Sequence, residues 1–454
     1  MKHRQLTLAI NGRERELAGR LVAFDPAARP YAGPGMRAAP VGVVGLGYVG
    51  LPTALGFHSR GWPVIGLDND PARLRAIEAA EVDVADADRR RLARASASPG
   101  FRLTTDPRVL REAGAVVVCV PTPVDGERTP DPSALREACA TVVRHAVPGQ
   151  VFIVTSTSYV GTTREMLSEP LARRGLRPGQ DVYVAYSPER IDPGNPDHVQ
   201  RDTPRIVGGV TAECAKRAAE VISALTDDVY LVSTPDAAEA AKLYENVFRA
   251  VTLALANEFA DACSTLGVDP IEVTLAAGTK PYGFLGVFPG PGVGGHCIPC
   301  DPYYLLWQLR QQGDFAPLIE EAMHGIRRRP QTVVERAKQV LADRGTDLAG
   351  SRVLVVGASY KAGVADVRES SSLPIIAGLA ERGARVSYYD PLLPRIEPGD
   401  GVTMTSVPEP WKTGWDLALI HTAHPQIDYS WVAGCCAQVL DATYRFDAPH
   451  RVVP

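Results

Sequence analysis

A cysteine follows a glycine-rich stretch in the second half of this 454-residue chain and precedes an acidic residue. Residues 289–296 read PGPGVGGH, Cys297 comes next, and Asp301 lies four residues further on. Because glycines admit a substrate and a thiolate is a strong nucleophile, this arrangement predicts covalent catalysis at Cys297. Three alternatives remain open: half of a zinc site or a dithiol pair, each formed with Cys300, or a purely structural turn.

A lysine and an asparagine lie one helical turn apart in a long segment rich in Ala and Leu, residues 237–266. Lys242 and Asn246 are four residues apart and therefore share one face of the predicted helix. A lysine and a carboxamide on one face can hold an anion or a developing oxyanion. Helical spacing alone, however, fits an ordinary solvated face better.

Residues 45–50 read GLGYVG between a predicted strand and a predicted helix. Such glycines permit a tight turn and the close approach of a pyrophosphate to the helix N-terminus. Asp68 ends the next predicted strand, where a carboxylate accepts hydrogen bonds from ribose hydroxyls and repels a 2′-phosphate. The pattern predicts NAD rather than NADP, against the alternative of a glycine turn without a ligand. The residues assigned to the cofactor on this basis are Gly45, Gly47, Tyr48, Val49, Gly50 and Asp68.

The elements that position these residues alternate between short apolar runs and longer helical stretches. The predicted strands are 41–44, 63–68, 115–120, 151–155 and 182–186, followed after a helical middle by 352–356, 385–389, 417–420 and 438–440. Strands that alternate with helices indicate βαβ units and parallel sheets. The predicted fold class is α/β, with two Rossmann-like doubly wound domains joined by a long-helix middle domain. The predicted divisions are 1–39, 40–210, 211–335 and 336–454.

The first division, 1–39, is predicted to be an N-terminal extension that lies outside the domains. Residues 5–10 followed by Asn11-Gly12 are compatible with a short hairpin, and 27–40 has the Pro, Gly and Ala content of a linker.

Composition excludes several classes of protein. Hydrophobic residues make up 45% of the chain and charged residues 22%, which excludes a mainly disordered protein. A net charge of −4 gives no overall attraction to nucleic acids or anionic membranes. The sequence has no apolar run of the roughly 20 residues that span a bilayer and no signal-peptide pattern, so a cytoplasmic location is expected. Its eight scattered cysteines are expected to stay free.

Over about residues 41–445 the chain resembles the UDP-glucose/GDP-mannose dehydrogenase family of nucleotide-sugar 6-dehydrogenases. The motifs that carry the resemblance are, in order, GLGYVGLP (45–52), VPTP (120–123), SPERIDPG (187–194), Lys242 with Asn246, Asn257-Glu258, GVGGHCIPCDP (292–302), and Tyr360-Lys361 through Asp366 to Ser370. The resemblance implies that 40–210 binds NAD, that 211–335 forms a homodimer or a higher homo-oligomer through its long helix, and that 336–454 binds a nucleotide-diphosphate hexose.

The family's reaction implies two successive oxidations of one carbon, the C6 hydroxymethyl, to a uronic acid through a thiohemiacetal and a thioester on Cys297. A water held by Asp301 and Lys242 would take the hydroxyl proton, and Asp301 with Glu189 would position the hydrolytic water. Lys242 and Asn246 would stabilise the oxyanion at each tetrahedral stage. The resemblance thus implies as catalytic residues Cys297, Lys242, Asn246, Asp301, Glu189 and Thr122.

The resemblance also implies contacts around this centre, and no metal. Pro121 and Thr122 would lie near the nicotinamide, and Arg368 near the cofactor pyrophosphate. The residues expected to bind the substrate are Glu189, Arg190, Lys242, Asn246, Gly294 and Lys361. One departure from the family pattern follows Lys361: the chain has Ala362-Gly363, where an Asp or Asn is common two residues after the lysine.

Two positions bear on the sugar. Enzymes of the glucose type usually carry an aromatic residue where this chain has Arg190, and a Lys where it has Cys300. The sequences of both motifs are most similar to those of the branch that oxidises UDP-N-acetylhexosamines, chiefly UDP-GlcNAc. UDP-glucose or dTDP-glucose is the alternative substrate. A β-hydroxyacid dehydrogenase, which needs no cysteine, and a binding protein without activity are the rival classes.

Overall fold

The computed structural model describes residues 22–24, 39–82, 84, 86–191, 200–399, 401–425, 427–446 and 451–454. The chain forms two compact units, of which the first ends at Tyr244 and the second runs from Glu245 to Pro454. Each unit contains a β-sheet whose strands alternate with helices, which confirms the predicted fold class. The hairpin predicted at 5–10 and residues 27–38 of the predicted linker lie outside the described residues. No helix in the described ranges has both the length and the apolar character that crossing a bilayer requires.

The first unit is built on a nine-stranded sheet in the order β1-β9-β8-β7-β6-β5-β2-β3-β4. Its strands are β1 Val22–Ala23, β2 Val41–Val44, β3 Val64–Leu67, β4 Phe101–Thr104, β5 Ala115–Val118, β6 Val151–Val154, β7 Tyr183–Tyr186, β8 Arg205–Gly209 and β9 Val229–Val232. From β2 to β7 the strands follow the 3-2-1-4-5-6 order of a dinucleotide-binding sheet. The order reverses between β2 and β5, where such sheets bind their ligand at the carboxyl ends of the strands.

Helices cover both faces of this sheet and bury its central strands. They are α1 Gly50–Ser59, α2 Pro71–Glu78, α3 Asp86–Ser96, α4 Ser133–His145, α5 Glu169–Arg173 and α6 Ala212–Ile222. Strands β2, β3, β5 and β6 are buried along their whole length, as expected of parallel strands between two helical layers. Two helices begin at side-chain caps: Asp70 accepts the Ala72 N–H before α2, and Thr211 accepts the Cys214 N–H before α6.

The structure differs from the prediction at the edges of this sheet. The five predicted strands form, each within two residues of its predicted ends, but β4, β8 and β9 were not predicted. The N-terminal extension is not wholly separate from the domain, because β1 pairs antiparallel with β9, with Val22 opposite Leu231. Strands β7 and β8 also pair antiparallel, so the sheet is mixed.

The long helix predicted over 237–266 is confirmed as α7, Pro235–Leu266, which begins in the first unit and continues into the second. At 1.5 Å per residue its 32 residues span about 48 Å. The helices that follow are α8 Pro270–Ala277, α9 Asp301–Gln311 and α10 Pro317–Ala342.

The second unit contains a five-stranded parallel sheet in the order β11-β10-β14-β15-β16. Its strands are β10 Arg352–Val356, β11 Arg385–Tyr389, β14 Leu417–Ile420, β15 Val439–Asp441 and β16 Arg451–Val452; β12 Arg395–Gly399 and β13 Val402–Thr405 form a separate hairpin, and the helices are α11 Ser372–Glu381 and α12 Val432–Cys435. The order is the 2-1-3-4-5 order of a flavodoxin-like sheet, which reverses between β10 and β14. The loops after those two strands therefore flank the expected ligand crevice of this unit.

Candidate active site

The glycine loop of the first unit has the geometry of a dinucleotide site. Gly45 adopts a φ of +85°, and a Cβ there would lie 2.7 Å from the Cys119 carbonyl oxygen at the end of β5. A Cβ on Gly47 would meet no atom within 4 Å, so this backbone is open to a ligand. Gly50 begins α1, and a Cβ there would lie 1.8 Å from the Gly45 carbonyl oxygen. The three glycines thus provide the turn, the open approach and the close packing that a pyrophosphate site needs.

Asp68 follows β3 at the same edge of the sheet. Its Oδ2 accepts the Leu46 N–H from inside the glycine loop at 2.7 Å, and its Oδ1 accepts the Asp70 N–H at 3.0 Å. The carboxylate is half-buried and keeps acceptor capacity on both oxygens, since each carboxylate oxygen has two lone-pair sites. Asp68 therefore both fixes the loop and presents acceptors beside it.

Pro121 and Thr122 follow β5 on the other side of the reversal point. Pro121 is exposed, whereas Thr122 is buried. The two segments predicted separately to contact the cofactor, 45–50 and 121–122, thus come from the two neighbouring strands β2 and β5, whose carboxyl ends flank the crevice.

Glu189 and Arg190 lie after β7 and are held by contacts that the sequence did not suggest. Glu189 Oε2 accepts Arg205 Nη1–H at 2.7 Å, and its Oε1 accepts the N–H groups of Arg190 and Ile191 at 2.9 and 3.2 Å. Arg190 Nη1 donates to the Pro204 carbonyl at 3.0 Å. In this arrangement the Glu189 carboxylate fixes the backbone of residues 189–191.

Lys242 and Asn246 are not on a solvated face of α7. Lys242 is 8% exposed and Asn246 2%, so the preference for a solvated face, based on spacing alone, was wrong. One turn before Lys242, the buried Glu239 accepts hydrogen bonds from Gly161 N–H, Thr163 N–H and the Thr163 hydroxyl. Burial raises the pKa of Glu239 to about 7. These bonds fix the first turns of the helix that carries Lys242.

The second unit joins Asn246, Asp301 and the cysteine turn directly. Asn246 Nδ2 donates to Asp301 Oδ2 at 2.5 Å, and both side chains are buried. The Asp301 N–H donates to the Cys297 carbonyl at 2.8 Å, and the Cys300 N–H does so at 3.3 Å. Residues 297–301 therefore form a helical turn leading into α9. Cys297 is exposed on this turn, whereas Cys300 is buried.

The glycine-rich loop before Cys297 packs tightly on the segment that follows β10. A Cβ on Gly292 would lie 2.4 Å from the Ser371 Cβ, and one on Gly294 would lie 2.7 Å from the Tyr360 Cβ. The Gly295 N–H donates to the Arg368 carbonyl at 3.1 Å. Two motifs some seventy residues apart in the sequence are therefore in contact, which places Gly294 against the segment that begins with Tyr360-Lys361.

The start of the same loop is tied to two helices. Gly290 N–H donates to Asn257 Oδ1 on α7 at 2.9 Å, and the Gly290 carbonyl accepts Arg329 Nε–H from α10 at 3.0 Å. Arg329 is 2% exposed and also bonds Asp261 and the Tyr444 hydroxyl. The loop is thus held at both ends, which limits the positions that Cys297 can occupy.

The loops of the C-terminal sheet hold Lys361 and Arg368. Lys361 is half-buried at the reversal point between β10 and β14. Arg368 Nη2 pairs with Asp366 Oδ2 at 2.8 Å, and the Arg368 side chain is 46% exposed. His296 lies near this pair. The pKa of its imidazole is lowered, mainly by burial and to a smaller extent by the charge of Arg368. The described residues include no group of three or more His, Cys, Asp or Glu arranged to bind a metal ion.

Three buried residues of these sites were not predicted from the sequence: Arg205, Glu239 and Arg329. Each acts on a partner that is distant in sequence. Only their polar type at positions of high burial could have indicated a role, and burial of one side chain is not visible in a single sequence.

The chain matches three family models along its length. Residues 39–226 match the NAD binding domain of the UDP-glucose/GDP-mannose dehydrogenase family, residues 236–325 its central domain, and residues 354–451 its UDP binding domain.

Curated relatives and a solved structure agree with these matches. The chain is 34% identical to a UDP-N-acetyl-D-mannosamine dehydrogenase of Escherichia coli K12 over 361 residues, 76% of this chain and 84% of that protein. It is 31% identical to a UDP-N-acetyl-D-glucosamine 6-dehydrogenase of Pseudomonas aeruginosa over 397 residues, 86% and 92% of the two chains. The structure of a UDP-D-ManNAc dehydrogenase from Pyrococcus horikoshii is similar with a TM-score of 0.82, 30% identity, and coverage of 91% and 98%. The chain therefore belongs to the UDP-glucose/GDP-mannose dehydrogenase family.

Proposed function

We propose that this chain is an NAD-dependent 6-dehydrogenase of a UDP-N-acetylhexosamine, which it converts to the corresponding uronic acid. The observation that carries the proposal is the arrangement around Cys297, which is exposed on a helical turn. The Asp301 N–H closes this turn by donating to the Cys297 carbonyl, and the Asp301 carboxylate accepts a hydrogen bond from Asn246. The names of the relatives support the N-acetylhexosamine. A β-hydroxyacid dehydrogenase would have no use for this cysteine turn or for the second sheet.

The residues around the reversal point between β2 and β5 fit NAD. Gly47 leaves room for the pyrophosphate, the α1 N-terminus favours an anion, and Asp68 offers acceptors to ribose hydroxyls. When bound there, NAD supplies the electron acceptor for each of the two oxidations.

The chain's own residues would carry the covalent chemistry. Asp301 and Lys242 hold a water that removes the proton of the C6 hydroxyl. Loss of this proton together with the first two-electron oxidation, for which bound NAD would be the acceptor, gives an aldehyde. The Cys297 sulfur attacks that aldehyde, which keeps the substrate bound as a thiohemiacetal and, after the second oxidation, as a thioester. Lys242 and Asn246 stabilise the oxyanion, and Asp301 positions the water that hydrolyses the thioester.

Glu189 takes a more structural part in this proposal than the family resemblance implies. Its Oε2 pairs with the buried Arg205 and its Oε1 accepts two backbone N–H groups, so the carboxylate is fixed in place and would position the hydrolytic water through residues 189–191. Arg190, which is bonded to the Pro204 carbonyl, lies in that segment and would select the N-acetylated sugar. Eight cysteines that form no disulfide support a location in the reducing cytoplasm.

We predict that Asp68 determines the choice between NAD and NADP. Replacement of Asp68 by Ala should lower the NAD preference in kcat/KM about tenfold or more, or about 1.4 kcal/mol, because the repulsion of a 2′-phosphate is lost. Asp68→Asn is the matched control, since it retains an acceptor for the Leu46 N–H while removing the charge. Equal kcat/KM for both cofactors in the unmodified protein would contradict this role.

The proposed homodimer rests on an apolar stripe along α7. Five large side chains are 42–75% exposed on this helix: Tyr244, Phe248, Leu255, Phe259 and Leu266. At 100° per residue they fall within an arc of about 60°, so they form one continuous stripe. A stripe of this length is apolar surface that a second copy of the chain would cover.

Substitutions in the stripe should dissociate the dimer. We expect light scattering to give twice the chain mass for the unmodified protein and a single chain mass for the double variant Leu255→Glu/Phe259→Glu, because paired charges oppose burial. Ser264→Glu is the control, because Ser264 is exposed but lies outside the stripe, about 200° around the helix from Tyr244. A single chain mass for the unmodified protein at working concentration would refute the dimer.

The substrate is tested with kcat/KM for UDP-GlcNAc, UDP-ManNAc, UDP-glucose and dTDP-glucose, before and after Arg190→Phe. We expect an N-acetylated sugar to be preferred by tenfold or more, about 1.4 kcal/mol, and the preference to shrink in the variant. A tenfold preference of the unmodified protein for either glucose nucleotide would overturn the substrate assignment and leave the reaction class intact.

A further inference from the structure

His424 lies at the reversal point of the second sheet, four residues after the end of β14, and its side chain is 1% exposed. Both of its ring nitrogens have partners on other loops. Nδ1 lies 3.0 Å from the Gly363 nitrogen, and Nε2 lies 3.3 Å from Asp390 Oδ2. The ring therefore connects the residue after β11 to the loop after β10.

The chemical nature of the two partners determines the tautomer of His424. The Gly363 N–H can only donate, so Nδ1 must be the acceptor, and an ionised carboxylate can only accept, so Nε2 must carry the proton. Burial alone would raise the pKa of Asp390, but hydrogen bonds from His424 and from the N–H groups of Ala358 and Ser359 outweigh it and hold the pKa well below its usual range. The neutral Nε2–H form of His424 is thus the one that satisfies both contacts.

Asp390, which holds one side of the His424 ring, is itself fixed by backbone hydrogen bonds. Its Oδ2 accepts the N–H groups of Ala358 and Ser359 at 2.8 and 3.0 Å, and its Oδ1 accepts those of Leu392 and Leu393 at 2.8 and 3.2 Å. The carboxylate is buried between the ends of β10 and β11. A ring held by this carboxylate has a fixed position relative to the sheet.

The loop that His424 contacts is a tight turn beginning at Lys361. The Val364 N–H donates to the Lys361 carbonyl at 3.4 Å, and Gly363 has a φ of +76°. Positive φ at the third residue is typical of a type II turn, whose closing hydrogen bond leaves the third N–H unused. His424 accepts that N–H. The left-handed φ also explains the departure at this position, because Gly, Asn and Asp all tolerate it.

We propose that His424 is a positioning residue of the nucleotide-sugar site, which fixes Lys361 by anchoring the turn at Gly363. The inference rests on the proposed function in one respect, namely that Lys361 contacts the nucleotide sugar. His424 itself touches neither the substrate nor the reacting carbon in this proposal. Its Nδ1 acts on the substrate only through the backbone of the turn.

Three substitutions separate the two ring contacts. His424→Asn places an acceptor oxygen near the position of Nδ1, His424→Gln places a donor near that of Nε2, and His424→Leu offers neither. We expect calorimetric titration with UDP to give a Kd within threefold of the unmodified protein for Asn and about tenfold higher for Gln and Leu. KM for the nucleotide sugar should follow the same order, whereas KM for NAD and kcat should change by less than threefold.

Other outcomes would overturn the inference. Equal UDP affinity in all variants would show that the Gly363 contact does not position Lys361. A loss in Asn with none in Gln would assign the effect to the Asp390 contact. Equal losses of UDP affinity in all three variants, accompanied by equal falls in Tm, would indicate a role in folding only. If the Leu variant does not fold, the comparison of the Gln and Asn variants decides. Absence of UDP binding by the unmodified protein would instead refute the proposed function.

Discussion

Replacement of Cys297 by Ser is expected to abolish formation of the uronic acid, with a fall in kcat of roughly 10³-fold or more. A hydroxyl has a far higher pKa than a thiol and cannot supply an equivalent nucleophile on the same turn. Because the hydrogen bonds to the Cys297 carbonyl come from backbone N–H groups, the Ser variant should keep its fold and its binding of UDP. Product formation followed by mass spectrometry, with UDP binding by calorimetry, measures both effects.

Cys300→Ala is the matched control for the cysteine turn. Cys300 is buried and lies three residues from the nucleophile, so its loss should change kcat by less than about threefold and cost mainly packing. Full acid formation by Cys297→Ser would mean that the nucleophile lies elsewhere. If Cys300 proved essential, Cys297 and Cys300 would instead be interpreted as a dithiol pair or as part of a metal site.

Asp301→Asn is expected to lower kcat about 10²-fold or more, because proton transfer by a positioned side chain contributes factors of this size. The variant is nearly isosteric and keeps an acceptor oxygen for Asn246 Nδ2, so the buried contact between the two side chains survives. The KM for the nucleotide sugar should therefore change by no more than a few fold. Steady-state kinetics with both parameters determined separately provides the measurement.

A matched variant checks whether the effect belongs to the Asp301 charge or to packing. Asn246→Asp removes the donor to Asp301 and brings two carboxylates together, which should lower kcat and also the Tm. Asp301→Asn should leave the Tm nearly unchanged. An unaltered kcat in Asp301→Asn would exclude Asp301 from proton transfer and from the positioning of water.

Three of the strands that the sequence predicted with correct ends are buried along all or nearly all of their length. Strands β2, β10 and β14 have their predicted ends, because β-branched and aliphatic runs bounded by Gly or Asp leave little choice. Strand β11 also has its predicted ends, although it is only partly buried. Strands β4 and β8 were missed because they carry polar or glycine residues, as in β8, which begins at Arg205 and ends at Gly209. Strand β9 is apolar, but it lies within residues 211–335, which were predicted to be helical. The pairing of β1 with β9 joins segments about two hundred residues apart.

The residue types of the candidate site could be predicted, but their environment could not. Lys242 and Asn246 were assigned from the family motif while their spacing favoured a solvated face; both are buried. The partners of Asp301 and Glu189 lie 55 and 16 residues away in sequence, and only the fold brings them into contact. Tertiary contacts of this kind depend on how the loops pack, for which a single sequence carries no periodic signal.

Two oxidations at one carbon are tested most directly by the stoichiometry of a complete reaction. Excess NAD and a limiting, known amount of UDP-N-acetylhexosamine are incubated to the end point, and NADH absorbance and product mass are measured together. The proposal predicts two NADH for each sugar and a product in which C6 is a carboxylate. One NADH for each sugar, with an aldehyde or a ketone as the released product, would contradict it.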